Sequence, residues 1–132
     1  KSAGCVRAQV SNITAPGQAI VLKALKDPAF RPQQAEKVAI LKARAQEVAR
    51  VTALPQHADC WDVYPFNAGY FMCLRIKGVD AEKLRLHLLD VHGVGTISLG
   101  TTDLRVAFSS VELTDIADLF DRIAQGVRAL RG

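Results

Sequence analysis

The chain lacks any apolar run approaching the roughly 18–20 residues that span a bilayer, so a membrane helix is not expected. Its three cysteines, Cys5, Cys60 and Cys73, are odd in number and show no CxxC spacing, which argues against a disulfide framework. Small buried or half-buried thiols are the expectation. Aromatic residues make up only 6% of the chain, and they do not interleave with the basic residues in any RNP, KH or zinc-finger pattern. There is no phosphate-binding P-loop and no GxSxG nucleophile elbow. Nine glycines and five prolines are too few for a collagen-like or low-complexity chain. Nothing near the start has the basic-then-apolar layout of a secretory signal. Asn12-Ile13-Thr14 then matches the glycosylation pattern by chance, and a reducing, cytoplasmic setting is expected.

What is present is ordinary globular material: 132 residues, 49% hydrophobic and 23% charged, the size of one domain. The net charge of +4 conceals an asymmetry. Residues 1–54 carry nine Lys/Arg against three Asp/Glu, whereas residues 55–132 carry eight against ten. The basic residues lie along helical sequence, where a solvated helix face explains them without a nucleic-acid partner.

Residues 16 to 26 open with Pro16 and continue Gln18-Ala19-Ile20-Val21-Leu22-Lys23-Ala24-Leu25, the pattern of a short, mostly buried helix stopped at Asp27-Pro28. A second helix is predicted from about Pro32 to Leu54, with Val38, Leu41, Ala45, Val48 and Thr52 on its apolar side. Lys37, Lys42, Arg44, Glu47 and Arg50 mark its wet side. At roughly 33 Å it is long enough to bridge two bodies. The polar stretch Gln56-His57-Ala58-Asp59 reads as a loop, and Trp61 to Pro65 as a short extended segment.

Tyr70 to Ile76 has strand composition. Asp80 is placed to cap a helix that runs to His92 and stops at Gly93. Gly95–Leu99 and Leu104–Phe108 read as an antiparallel pair. Leu113, Ile116, Phe120, Ile123, Val127 and Leu130 form one stripe of a last helix, capped by Thr114 or with Glu112 in its first turn. The fold class is therefore α/β of an α+β-like kind. Residues 1–54 form a helical segment, and residues 55–132 a small, mainly antiparallel sheet with helices packed on one face.

A self-contained catalytic set is not apparent. His57, His87 and His92 have no ligand spacing with one another or with a cysteine. His87 and His92, five apart, fall on different helix faces, and surface or capping roles account for all three. Gly93-Val94-Gly95 with Gly100 is turn chemistry. Arg105 stands out by position. In Leu104-Arg105-Val106-Ala107-Phe108-Ser109, alternation puts Leu104, Val106 and Phe108 on one face and Arg105 among small residues on the other. The planar fork of an arginine suits a carboxylate. The alternative is an arginine pointing to solvent or bridged to Asp103 or Glu112.

This segment, with Glu112 and the amphipathic helix after it, resembles the C-terminal signature of the class I/II aminotransferases, pyridoxal-phosphate (PLP) enzymes of fold type I. Pro65-Phe66-Asn67-Ala68-Gly69-Tyr70-Phe71 resembles the approach to the first strand of that family's small domain. Val10-Ser11-Asn12, Gln18 and Ala24-Leu25-Lys26-Asp27-Pro28 resemble the stretch after the cofactor lysine. The long helix, with Glu36-Lys37 and Leu41-Lys42-Ala43-Arg44, resembles the interdomain helix.

The resemblance implies that Arg105 binds the substrate α-carboxylate, and it places Asn67 at the substrate pocket. Asn67-Ala68-Gly69 departs from the paired small residues of many members. It further implies a parent homodimer that uses pyridoxal 5'-phosphate to move an amino group between an amino acid and a 2-oxo acid. In the family, the cofactor lysine and phosphate-binding groups precede the region matched here. None of Lys1, Lys23, Lys26, Lys37, Lys42, Lys77 or Lys83 has the family context of that lysine. No catalytic, cofactor-binding or metal-binding residue is therefore assigned within the chain. The expectation is the C-terminal third of such an enzyme, inactive alone. The rival is a free-standing α+β module for a small carboxylate or a protein partner. Against it stands the helical N-terminal half, whose Ile20, Val21, Leu22 and Leu25 have nothing in the small sheet to cover.

Overall fold

Apolar residues at every second position of residues 72–76 and 103–106, and a helical stripe in the last sixteen residues, define the layers of the structure. A computed structural model describes residues 2–10, 14–66 and 69–132. Two compact units are present, residues 1–38 and 39–132.

The first unit holds α1 (Ser2–Val10), α2 (Ala15–Lys26) and the beginning of α3 (Phe30–Thr52). Pro16 sits in the first turn of α2, where its missing N–H costs nothing, and Asp27 ends the helix. The expectation of a mostly buried α2 is corrected. None of its residues is buried, and Ile20, Val21, Leu22 and Leu25 are all more than half exposed. A body of under 40 residues has too little apolar surface to cover such a helix.

The second unit carries β1 (Trp61–Val63), β2 (Met72–Ile76), α4 (Ala81–His92), β3 (Ile97–Leu99), β4 (Asp103–Val106) and α5 (Ile116–Arg131). The sheet is antiparallel throughout, in the order β1-β2-β4-β3. Met72, Leu74 and Ile76 from β2 join Leu104 and Val106 from β4 on one face, all buried. Against them lie Leu84 and Leu88 of α4 and Ile116, Phe120, Ile123 and Val127 of α5, with Val48 and Val51 from the end of α3. Burying such side chains stabilises the unit by about 1.5–3 kcal/mol each relative to exposure.

Local chemistry fixes the ends of α4. Asp80 accepts from the backbone N–H groups of Glu82 and Lys83, and Gly93 ends the helix at φ 65°, a left-handed conformation that glycine adopts without strain. Gly126 allows α4 and α5 to approach. A methyl placed there would stand 3.0 Å from Leu88 and 3.1 Å from Leu84.

Several expectations shift. Phe108 lies in a 3-10 turn (Phe108–Ser110), not in a strand, although it is fully buried. The N-terminus of α5 uses neither Thr114 nor Glu112. A 3-10 turn, Leu113–Asp115, leads into it, and Asp115 at the cap position makes no side-chain capping bond. His57, expected at the surface, is 1% exposed. Its Nδ1 lies 3.0 Å from the Val51 carbonyl oxygen and its Nε2 2.9 Å from an Asp121 carboxylate oxygen. The rings of His87 and His92, expected on different faces, meet at 5.6 Å between centroids, because His92 is the last residue of its helix. Among the described residues no helix is long and apolar enough to cross a membrane, and no His/Cys/Asp/Glu group could hold a metal ion.

Candidate functional site

The face of the sheet turned away from α4 and α5 carries the alternate residues. Pairing places Cys73 of β2 and Ile97 of β3 directly opposite Arg105 of β4, so these three form one row across the strands. The next row is Arg75, Asp103 and Leu99, with Asp62 of β1 opposite Arg75. Arg105 therefore sits on a central strand, half-buried, in the middle of an otherwise open face. A shallow cavity of about 380 Å³ is lined by residues that include Tyr64, Phe71, Cys73, Leu99 and Asp103, though not by Arg105 itself.

The carboxylates that could have neutralised Arg105 are engaged elsewhere. Asp103 accepts a 3.0 Å hydrogen bond from the Tyr64 hydroxyl. This bond, with a smaller contribution from burial, pushes the Tyr64 hydroxyl above its ordinary pKa. Glu112 pairs with Arg44 at 2.9 Å. Among the described residues Arg105 has no ion pair, and its Nε is buried without a hydrogen-bond partner. The contact it does make is with an aromatic face, its Cζ standing 4.9 Å from the centroid of the Phe71 ring. A buried, unmatched guanidinium donor is costly.

Arg44 was assigned to the wet side of its helix by periodicity, and this is corrected. Its side chain is only 14% exposed. Besides the ion pair with Glu112, it donates to the Ser109 carbonyl oxygen. It thereby ties the end of α3 to the segment that follows β4. Asn67, the second expected substrate-binding residue, lies outside the described residues. Phe71 is the residue at this site that sequence reasoning overlooked as a functional group. Alternation along β2 places Cys73 and Arg75 on one side, and Phe71 directly precedes the strand, but nothing local gives the register that brings Phe71 to Arg105.

Among the described residues, no lysine lies at this cavity to receive pyridoxal phosphate. Every described lysine is exposed except Lys77, whose ammonium is taken by Asp62 at 2.6 Å and the Ala58 carbonyl at 3.1 Å. The cavity at Phe71 and Cys73 is lined by aromatic, apolar and acidic side chains.

Comparison with known proteins gives this helical segment and small antiparallel sheet a family. The family model "Aminotransferase class I and II" matches residues 4–123. The chain belongs to that family.

Solved structures agree on the fold. LysN, an α-aminoadipate aminotransferase from Thermus thermophilus complexed with N-(5'-phosphopyridoxyl)-L-leucine, superposes with a TM-score of 0.78 at 17% identity, over 96% of this chain and 34% of its own. An archaeal alanine:glyoxylate aminotransferase gives 0.78 at 18% identity, over 93% and 32%. An aminotransferase from Anaerococcus prevotii DSM 20548 gives 0.72 at 20% identity, over 96% and 30%. The chain thus spans about a third of the length of each. A search of curated proteins finds no match.

Proposed function

We propose that this chain is the C-terminal part of a longer PLP-dependent aminotransferase that transfers an amino group between an amino acid and a 2-oxo acid. In this reading residues 1–54 are the end of the large domain and the interdomain helix, and residues 55–132 the small domain. The parent is a cytoplasmic homodimer. The cofactor, held by other parts of the parent, supplies the electron sink for the chemistry.

This chain contributes the grip on substrate. Arg105 receives the α-carboxylate in a two-point ion pair, which fixes the orientation of the amino acid before reaction. The observation that supports this reading is the guanidinium on the open sheet face, without an ion pair among the described residues, while Asp103 on the same strand is bound to Tyr64 and Glu112 to Arg44. The exposed apolar residues of α2 support the fragment reading, since Ile20, Val21, Leu22 and Leu25 have no cover in their own unit.

The test is Arg105→Ala in the enzyme made from the full-length gene. It should raise KM for amino acids and lower kcat/KM by about 2–4 kcal/mol in transition-state terms. An unchanged kcat/KM removes the clamp.

A further inference from the structure

An arginine side chain has several rotatable bonds, and any freedom it keeps before substrate arrives is lost on binding. Ion pairs usually hold such a group in place, but a carboxylate partner would also occupy the donors that a substrate carboxylate needs. Arg105 is held differently. Its cross-strand neighbours, Cys73 and Ile97, offer no charge. Asp103 and Glu112 are tied to Tyr64 and Arg44. The Phe71 ring lies under the guanidinium at 4.9 Å, inside the about 6 Å range in which the negative face of a ring attracts a cation. The ring takes no hydrogen bond, so it orients the group while leaving its N–H donors free. Phe71 is 49% exposed and belongs to no part of the buried core. Its position at the surface is therefore not explained by packing.

Resting on the reading of Arg105 as the carboxylate clamp, we propose that Phe71 is the positioning residue of that clamp, setting substrate affinity through the guanidinium it supports. In the full-length enzyme, with L-leucine or L-alanine, whichever serves better, as donor to 2-oxoglutarate, Phe71→Leu should raise KM for the donor about tenfold and change kcat less than about twofold. Phe71→Tyr, which keeps the ring, should restore KM to within about twofold. In an Arg105→Ala background, Phe71→Leu should add nothing. A readout independent of turnover is the Arg105 Nε–H proton resonance, assigned by its loss in Arg105→Ala. It should shift when Phe71→Leu removes the ring current.

An unchanged KM in Phe71→Leu overturns the inference, whatever the resonance does. So does an equal rise in KM in the Arg105→Ala background, because the ring would then act other than through Arg105. If Arg105→Ala itself leaves kcat/KM unchanged, the clamp reading fails and takes this inference with it. The two failures are therefore distinguishable.

Discussion

The two faces of the four-stranded sheet are built from neighbouring residues on the same strands, yet they answer to different demands. On one face Leu74, Leu104 and Val106 are at most 2% exposed beneath α4 and α5. On the other, Ile97 and Leu99 remain more than 40% exposed, and Arg105 keeps a buried donor with no acceptor among the described residues. On the same strand Asp103 is taken by Tyr64 rather than by Arg105. The contrast separates a face that holds the fold together from the face on which the proposed substrate grip lies.

Leu104 and Arg105 bring this comparison down to adjacent residues. Leu104→Ala should destabilise the protein by about 2–5 kcal/mol, through lost transfer energy and the cavity left under α4 and α5. Arg105→Ala should destabilise the protein by no more than about 0.5 kcal/mol while weakening substrate binding as described above. Denaturant unfolding of the two variants beside their kinetics checks both halves. A large stability loss in Arg105→Ala would erase the distinction between the faces.

A smaller effect sharpens the account of the covered face. Gly126 sits where α5 meets α4, and an added methyl would press on Leu84 and Leu88 at 3.0–3.1 Å. Gly126 has no positive φ, so backbone strain does not enter and overpacking alone decides. Gly126→Ala should cost about 1–3 kcal/mol, although alanine is the better helix former by about 1 kcal/mol. A stabilised variant would show that the helices can separate, and that the close approach is not needed.

The sequence made the covered face readable and left much of the open one hidden, for a physical reason. Alternation in β2 and β4, the stripe of α5, the Asp80 cap and the Gly93 stop are all local patterns, fixed within a few residues. The class of fold followed from them. Long-range partners decide the rest. His57 looked like a loop residue, but its ring is held by Val51 and by Asp121, which is 64 positions away. Arg44 looked solvated because helical periodicity cannot see the turn at Ser109 and the carboxylate of Glu112. The apolar pattern of α2 predicts a mostly buried helix, yet none of its residues is buried, because burial depends on cover that the local pattern does not specify. Arg105 can be singled out as a candidate carboxylate ligand from one strand. Its dependence on Phe71 needed the pairing of two.

The mildest expected effect concerns how the covered face is closed at its edge. Asp59 receives Arg128 at 3.0 Å and Arg131 at 3.3 Å, both from the last turns of α5. The bond from Arg128, followed by that from the Cys60 thiol, holds the Asp59 carboxyl at about 2, below the ordinary 3.8. A carboxyl depressed on folding contributes stability that is fully present above its unfolded value and is lost as pH falls through the folded one. The loss should therefore run from about pH 4 down to about pH 2. Glu82, held at about 2 by Arg85 and then by Ser98, titrates in the same window. Asp59→Asn should flatten only part of the acid limb of the stability–pH curve, and the double variant with Glu82→Gln more of it. Because both carboxylates are largely exposed, solvent screens these pairs, and the change should be small beside that of Leu104→Ala. Thermal midpoints measured at half-unit steps from pH 5 to 2 decide it. A parent and double variant with parallel acid limbs would show that the arginines of α5 anchor the helix through their backbone acceptors, the carbonyls of Gln56, Asp59 and Lys77, rather than through charge.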